Sequence, residues 1–288
     1  MSQLTNYSEN LLADFIRGQG ASSLPGGFYV GLASAASDSA ITELSGTGYA
    51  RQSYGRSLAA WAGTQGAGTT LASTGVTHTT SNNTAISFGT AGSAWGTANY
   101  AVLYDASSGG NALAYFALSS PIGISTSSVV SLAVGALAAS LGLTGGCSDF
   151  FANKLIDLFF RAQSYTMPST LYFGLFTAAP TNAGGGTEVT GGAYARQSLP
   201  ATLAGISGTQ SAGSTSASSG TSGLISNNLV LTWPTPTANW GTITHEAVFD
   251  AVSSGNMLFW NALDVPRSVV SASSPQTHGA ATWSVTLA

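Results

Sequence analysis

The sequence predicts a mainly β protein made of two tandem antiparallel β-sandwich domains, each opening with an α-helix. Three observations carry this: an internal repeat of about 145 residues, an apolar stretch of helical period heading each copy, and short strands separated by Gly, Ser, Asn and Pro turns.

The repeat is explicit. Tyr49-Ala50-Arg51-Gln52-Ser53 returns as Tyr194-Ala195-Arg196-Gln197-Ser198, Thr42-Glu43 as Thr187-Glu188, and Asn82-Asn83 as Asn227-Asn228. Trp95-Gly96-Thr97 returns as Trp240-Gly241-Thr242, Asp105-Ala106 as Asp250-Ala251, and Gly110-Asn111 as Gly255-Asn256. Nearer the start the offset is shorter by two residues, so that Leu24-Pro25 faces Met167-Pro168 and Tyr29 faces Tyr172. One offset held through Trp, Arg, Asp and Gly positions marks a duplication. Residues 1–141 and 142–288 are the expected domains, joined between Ala138 and Cys147 and related by a pseudo-twofold or a translation.

Within the first copy, Leu11, Leu12, Phe15 and Ile16 follow Ser8 at helical spacing, with Glu9 in the first turn where an acid suits the helix dipole. In the second, Phe150, Phe151, Leu155, Ile156, Leu158, Phe159 and Phe160 follow the candidate cap Ser148. That helix is apolar nearly all round and is expected to be buried on more than one side. First strands are read at Phe28–Leu32 and Leu171–Phe176, alternating strands at Ala85–Phe88 and Leu229–Trp233. Ala101–Asp105 and Ala247–Asp250 lead into Ser/Gly/Asn turns, with return strands at Ala112–Leu118 and Met257–Leu263. Final strands are placed near Val129–Leu137 and Thr282–Leu287.

Charge is scarce: 7 Lys+Arg and 11 Asp+Glu make 6% of 288 residues, against roughly 25% in an average soluble domain. So few cations, with a net charge of −4, cannot neutralise a phosphate backbone, which excludes nucleic acid as a partner. Disorder is excluded by a 44% apolar content. The lone Cys147 forbids an intrachain disulfide. No basic segment precedes an apolar run near Met1, so no Sec-type signal is expected, and Val129–Leu143 falls short of the ~20 residues of a membrane span. That stretch reads as a strand followed by a linker.

Catalytic and metal chemistry find little support. His78, His245 and His278 lie apart, and Glu246 beside His245 points to the opposite face of a strand. Asp105 and Asp250 match a paired-carboxylate reading only superficially, since each ends a strand before a turn, where Asp accepts backbone N–H bonds. Gly184-Gly185-Gly186 lacks the Lys-Ser/Thr of a phosphate loop. No cofactor and no metal ligand set is expected. Tyr49, Arg51, Gln52 and Trp95, with their equivalents Tyr194, Arg196, Gln197 and Trp240, are the structural or interface candidates. Arg51 and Arg196 are expected to pair with Glu43 and Glu188 across a hairpin, the alternative being exposed Arg/Tyr anchors of an interface. The Ser/Gly/Thr tracts 63–80 and 207–223 are either mobile loops or arms that order against a neighbour.

The second copy carries a recognisable series. Leu171-Tyr172-Phe173-Gly174-Leu175-Phe176-Thr177-Ala178-Ala179-Pro180 is followed by Glu188, Tyr194-Ala195-Arg196-Gln197, Trp240-Gly241-Thr242, Phe249-Asp250-Ala251 and Gly255-Asn256. This series resembles the small head-decoration or "tail fiber" virion proteins of tailed bacteriophages, once per half. The first copy departs from it, lacking the Pro after Ala35-Ala36, carrying Tyr104 for Phe249 and inserting polar residues between Ser57 and Thr80. The resemblance implies a non-enzymatic virion component displayed on the particle and made in the host cytoplasm. The expectation is a decoration or minor capsid protein on the outside of a phage head, contacting the major capsid protein or other virion proteins, with self-association and no membrane. The alternative is a tail or head fibre binding host-surface glycans.

Overall fold

The computed structural model describes residues 4–20, 24–140, 143–144 and 146–287. The boundary expected between 141 and 142 lies outside them. Helix α1 (Asn6–Asp14) runs on into a π-helical turn over Phe15–Gln19. Its cap position is Thr5 rather than the region of Ser8, which is buried inside the helix; the Thr5 hydroxyl instead donates to the Ala112 carbonyl. Strands follow as β1 (Phe28–Ala36), β2 (Ile41–Glu43), β3 (Gln52–Tyr54), β4 (Thr79–Ser81) and β5 (Ile86–Thr90). Then come β6 (Gly96–Tyr104), β7 (Ala112–Ile124), β8 (Val129–Leu132) and β9 (Ala138–Ser140).

The second half opens on β10 (Leu143–Thr144) and α2 (Asp149–Arg161), whose cap Ser148 accepts the Phe151 N–H as its sequence foretold. It continues as β11 (Thr170–Ala178), β12 (Thr187–Glu188), β13 (Gln197–Pro200), β14 (Leu224–Ser226) and β15 (Leu231–Thr232). It closes with β16 (Gly241–Phe249), β17 (Met257–Val269), β18 (Thr277–His278) and β19 (Ser284–Leu287).

Each half has one antiparallel main sheet, ordered β2-β1-β6-β7 with β3 also on β1, and β12-β11-β16-β17 with β13 also on β11. The second layer is broken into short ribbons, β5-β8 and β4-β9 in one half, β15-β18 and β14-β19-β10 in the other. Their alternately buried side chains (Ile86, Phe88, Val130, Leu132; Leu231, Ile225, Val285, Leu287) join the core under the main sheet. The return strands are longer than expected because a bulge lets them continue. Ala98 pairs with Ile122 but Tyr100 with Ala117, and Ile243 pairs with Arg267 but His245 with Ala262. Pro121 and Pro266 fall in those irregular stretches of sheet-edge strands, where the missing N–H interrupts no ladder.

Two further expectations are corrected. The stretch after Val129 is not a strand and a linker: β8 turns back and β9 pairs with β4, so Ala139 is buried in the second layer. Nor does the first copy carry an inserted polar segment, because Thr64, Ser73 and Gly75 play the parts of Thr209, Ser218 and Gly220 at the undisturbed offset.

The halves share one continuous core. Phe159 and Phe160 of α2 pack on Phe28, and Phe160 also on Trp61, all in the first half. Phe151 of the same helix packs on Phe259 of its own sheet. The all-round apolarity of α2 thus has a direct cause: one side faces its own sheet, the other completes the core of the other half. Contacts of equivalent residues run both ways: Asp157 of α2 accepts the Ser73 N–H of the first half, and Asp14 of α1 accepts the Ser218 N–H of the second. Only a self-inverse operation returns them so, which makes the relation a pseudo-twofold and not a translation.

Candidate functional site

Two arrangements draw together most of the charged side chains, and each occurs twice. The first is built on the hairpin joining β1 to β2 and β3. Arg51 grips the Glu43 carboxylate with two donors (Nε to Oε1 2.9 Å, Nη2 to Oε2 2.7 Å) and donates from Nη1 to the Ala106 and Gly109 carbonyls. Its guanidinium lies flat over the Tyr104 ring, 3.3 Å from the centroid. Tyr49 donates to Glu43 and accepts the Leu32 N–H, and its ring meets Trp95 edge-on. Trp95 Nε1 in turn donates to the Thr47 carbonyl. Burial, with the Glu43 charge beside it, pushes the Tyr49 hydroxyl well above its usual range.

The second copy repeats every contact. Arg196 grips Glu188, donates to the Ala251 and Ser254 carbonyls and covers the Phe249 ring at 3.4 Å. Tyr194 donates to Glu188, accepts the Leu175 N–H and meets Trp240. Gln52 and Gln197 only bond back to the Ala50 and Ala195 carbonyls. Gly31 and Gly174 make room for the carboxylates: a Cβ at Gly31 would sit 2.8 Å from Glu43 Oε1. The turns held by Arg51 and Arg196 are closed by Asp105 and Asp250, which accept the backbone and side-chain N–H groups of Asn111 and Asn256. Both aspartates are therefore turn residues, each with both carboxylate oxygens taken up by the Asn of its own turn.

The second arrangement was not legible as a site. Asn153, Asp157 and Arg161 lie on one face of α2 and clasp the Ser/Gly tract of the first half. Asn153 donates to the Gly75 carbonyl and accepts the Thr64 hydroxyl; Asp157 accepts the Ser73 N–H and hydroxyl at 2.8 and 2.6 Å. Arg161, fully buried, bonds Asp157, the Ser73 hydroxyl and the Trp61 and Leu71 carbonyls. Asn10, Asp14 and Arg17 of the first helix do the same to Gly220, Thr209, Ser218 and Ile206 of the second half. Arg17 meets Asp14 three residues away, where the matching pair of α2 is spaced by four. Burial lowers the Arg17 pKa, opposed by Asp14. Arg56 has no twin: it donates to the last carbonyls of α2, at Leu158 and Phe159, and its counterpart is Ala201.

The tracts 63–80 and 207–223 are thus ordered arms, and their neighbour is the other half of the same chain. The sequence held a signal for this, an Asn/Asp/Arg series at matching helix positions in a chain with seven cations, but its partner loops lie about 80 to 210 residues away.

The histidines are placed differently from one another. His78 Nε2 lies 2.7 Å from Asp149 at the start of α2, His245 bonds Thr244, and His278 lies 3.1 Å from Glu246, 32 residues away in sequence. Cys147 is buried, and burial pushes its thiol well up, away from a reactive thiolate. Among the described residues no three His, Cys, Asp or Glu side chains gather to hold a metal, and no helix is long and apolar enough to cross a membrane.

Taken together, these contacts draw almost all charge inward. All seven Lys and Arg residues are buried or half-buried, and of the acids only Asp38 and Asp264 are exposed. Comparison with known proteins adds one match and one absence. A family model described as podophage GP4 fiber I protein gp80 matches residues 3–140 and again residues 146–282. No curated protein matches the chain.

Proposed function

The chain belongs to the podophage GP4 fiber I protein gp80 family, in two tandem copies, and on that premise we propose that it is a non-enzymatic fibre component of a phage particle. The family supports a phage structural role and a place in the virion. Its description as a fiber protein favours the fibre, the alternative reading of the sequence, over the head-decoration role expected first.

The observation that carries the reading is the outer surface. With its arginines tied to carboxylates and carbonyls, the protein meets its neighbours through amides, hydroxyls and apolar groups. Such contacts form without charge steering and are screened little by salt. A depolymerising enzyme would need two facing carboxylates, whereas Asp105 and Asp250 close turns in opposite halves.

Particles lacking this protein separate the readings. Loss of adsorption to host cells, with heat-driven DNA release unchanged, is the expected result for a fibre. Normal adsorption with DNA release at lower temperature would mean that the protein reinforces the head instead.

A further inference from the structure

We propose that the second half carries a binding site for a neutral sugar, in a cleft between β16, β17 and the β18–β19 segment that the first half has filled. The cleft measures about 570 Å³, within the range of small-molecule sites, and its polar wall includes Glu246, Asn261, Asp264, Arg267, His278 and Thr282.

The comparison between halves is the main argument. Strand registers equate Glu246 with Ala101, Asn261 with Phe116, and His278 with Leu132. Ala101, Phe116 and Leu132 are all buried core residues. The same fold therefore packs well with Ala, Phe and Leu here, yet the second half holds a carboxyl, an amide and an imidazole. Putting polar groups into a core position is unfavourable unless each is satisfied. Two of them are not: Glu246 Oε2 and His278 Nε2 lie in a buried position 3.1 Å apart, off the line of a hydrogen bond, and neither atom has another partner among the described residues. His278 Nδ1 is held by the Thr282 hydroxyl. Replacing a phenyl ring by an amide also removes the volume that would close the cleft.

The chemistry of the wall selects the ligand class. Burial raises the Glu246 pKa to about 8 and lowers that of His278 to about 4, so both are uncharged near neutral pH. Above them Asp264 and Arg267 oppose each other in sign, and the Arg267 guanidinium is already engaged by the Thr277 carbonyl. A metal cation meets no gathered anionic ligands, and an anion meets no unopposed cation. What remains is a mixed set of donors and acceptors, with the Ser284 and Thr286 hydroxyls, beside the aliphatic Leu263 and Val265. Vicinal hydroxyls that both donate and accept, on a ring with an apolar C–H face, match that set.

This inference rests on the fibre reading only for its biological sense, since binding is measured on the purified chain. The full chain is titrated with glucose, galactose, mannose, rhamnose and N-acetylglucosamine, and in parallel with acetate and Ca²⁺, following backbone amide shifts by NMR. At least one sugar is expected to perturb residues of β16–β19 saturably, with the first half unmoved. Asn261→Phe, which restores the first-half residue, is expected to weaken that binding at least tenfold. Thr282→Val gives a milder change at the cleft should the Phe variant misfold, and is expected to weaken it severalfold. No response to any of the five sugars, a response to acetate or Ca²⁺ instead, or undiminished binding by both variants would overturn the assignment. Adsorption by Asn261→Phe particles is a separate matter: a fibre that attaches through another surface would adsorb normally while the site itself stands.

Discussion

Glu246 and His278 give the clearest residue-scale consequence, because burial shifts them in opposite directions. Between about pH 4.5 and 8 the unfolded chain has released the Glu246 proton that the native state keeps, so stability falls as pH rises through that window. Between about pH 4 and 6.5 the unfolded chain binds a His278 proton that the native state refuses, so stability rises with pH there. The two cancel over most of the acid range and leave Glu246 alone above pH 6.5. Arg267, which eases its ionisation, and Asp264, which opposes it, are the charged groups that tune the window. Urea unfolding is therefore expected to show stability declining by about 1–2 kcal/mol from pH 6.5 to 8, and Glu246→Gln to abolish the decline. A stability that is level or rising over this interval in the native chain would contradict the assignment. The pair was invisible in sequence because His278 arrives from a different strand, while the neighbour Glu246 does have in sequence, His245, points away from it.

The two helices explain what the repeat is for at the scale of elements. Arg161 is completely buried and makes bonds to Asp157, Ser73, Trp61 and Leu71, so its removal strands a carboxylate and several carbonyls away from water. Arg161→Ala is expected to destabilise the protein by about 3–5 kcal/mol, and Arg161→Lys to recover little, because a single ammonium cannot span that fork. Arg196→Ala, at the partly open hairpin clamp, is expected to cost only about 1–2 kcal/mol. Chemical denaturation of the three variants checks the order; an Arg161→Ala loss no larger than that of Arg196→Ala would show that the clasp does not hold the arms. Here the sequence was informative about elements and silent about their partners. Helical period, the Ser148 cap, the Asp105 and Asp250 turns and the Arg–Glu hairpin pairs are local patterns, and each was readable. The clasp was not, since low-complexity tracts such as 207–223 carry no periodicity to announce order. Their conformation is imposed by Asn10, Asp14 and Arg17 from the far end of the chain.

Across the whole molecule, two copies of one unit are joined about a pseudo-twofold, each helix completing the core of the other half. An isologous arrangement of this kind is that of a symmetric dimer with its subunits tied by a short connection. Tying them frees the second copy to diverge at Ala101, Phe116 and Leu132 equivalents without altering the clasp, and the cleft lies in that diverged half. The interlocked core makes a definite thermodynamic claim: neither half keeps its packing when the other is lost, so the chain is one cooperative unit despite its length. Differential scanning calorimetry of the intact protein tests this most directly. The account predicts a single transition whose calorimetric and van't Hoff enthalpies agree, and which Arg161→Ala moves to lower temperature as a whole. Two separable transitions, with Arg161→Ala shifting only one of them, would contradict it.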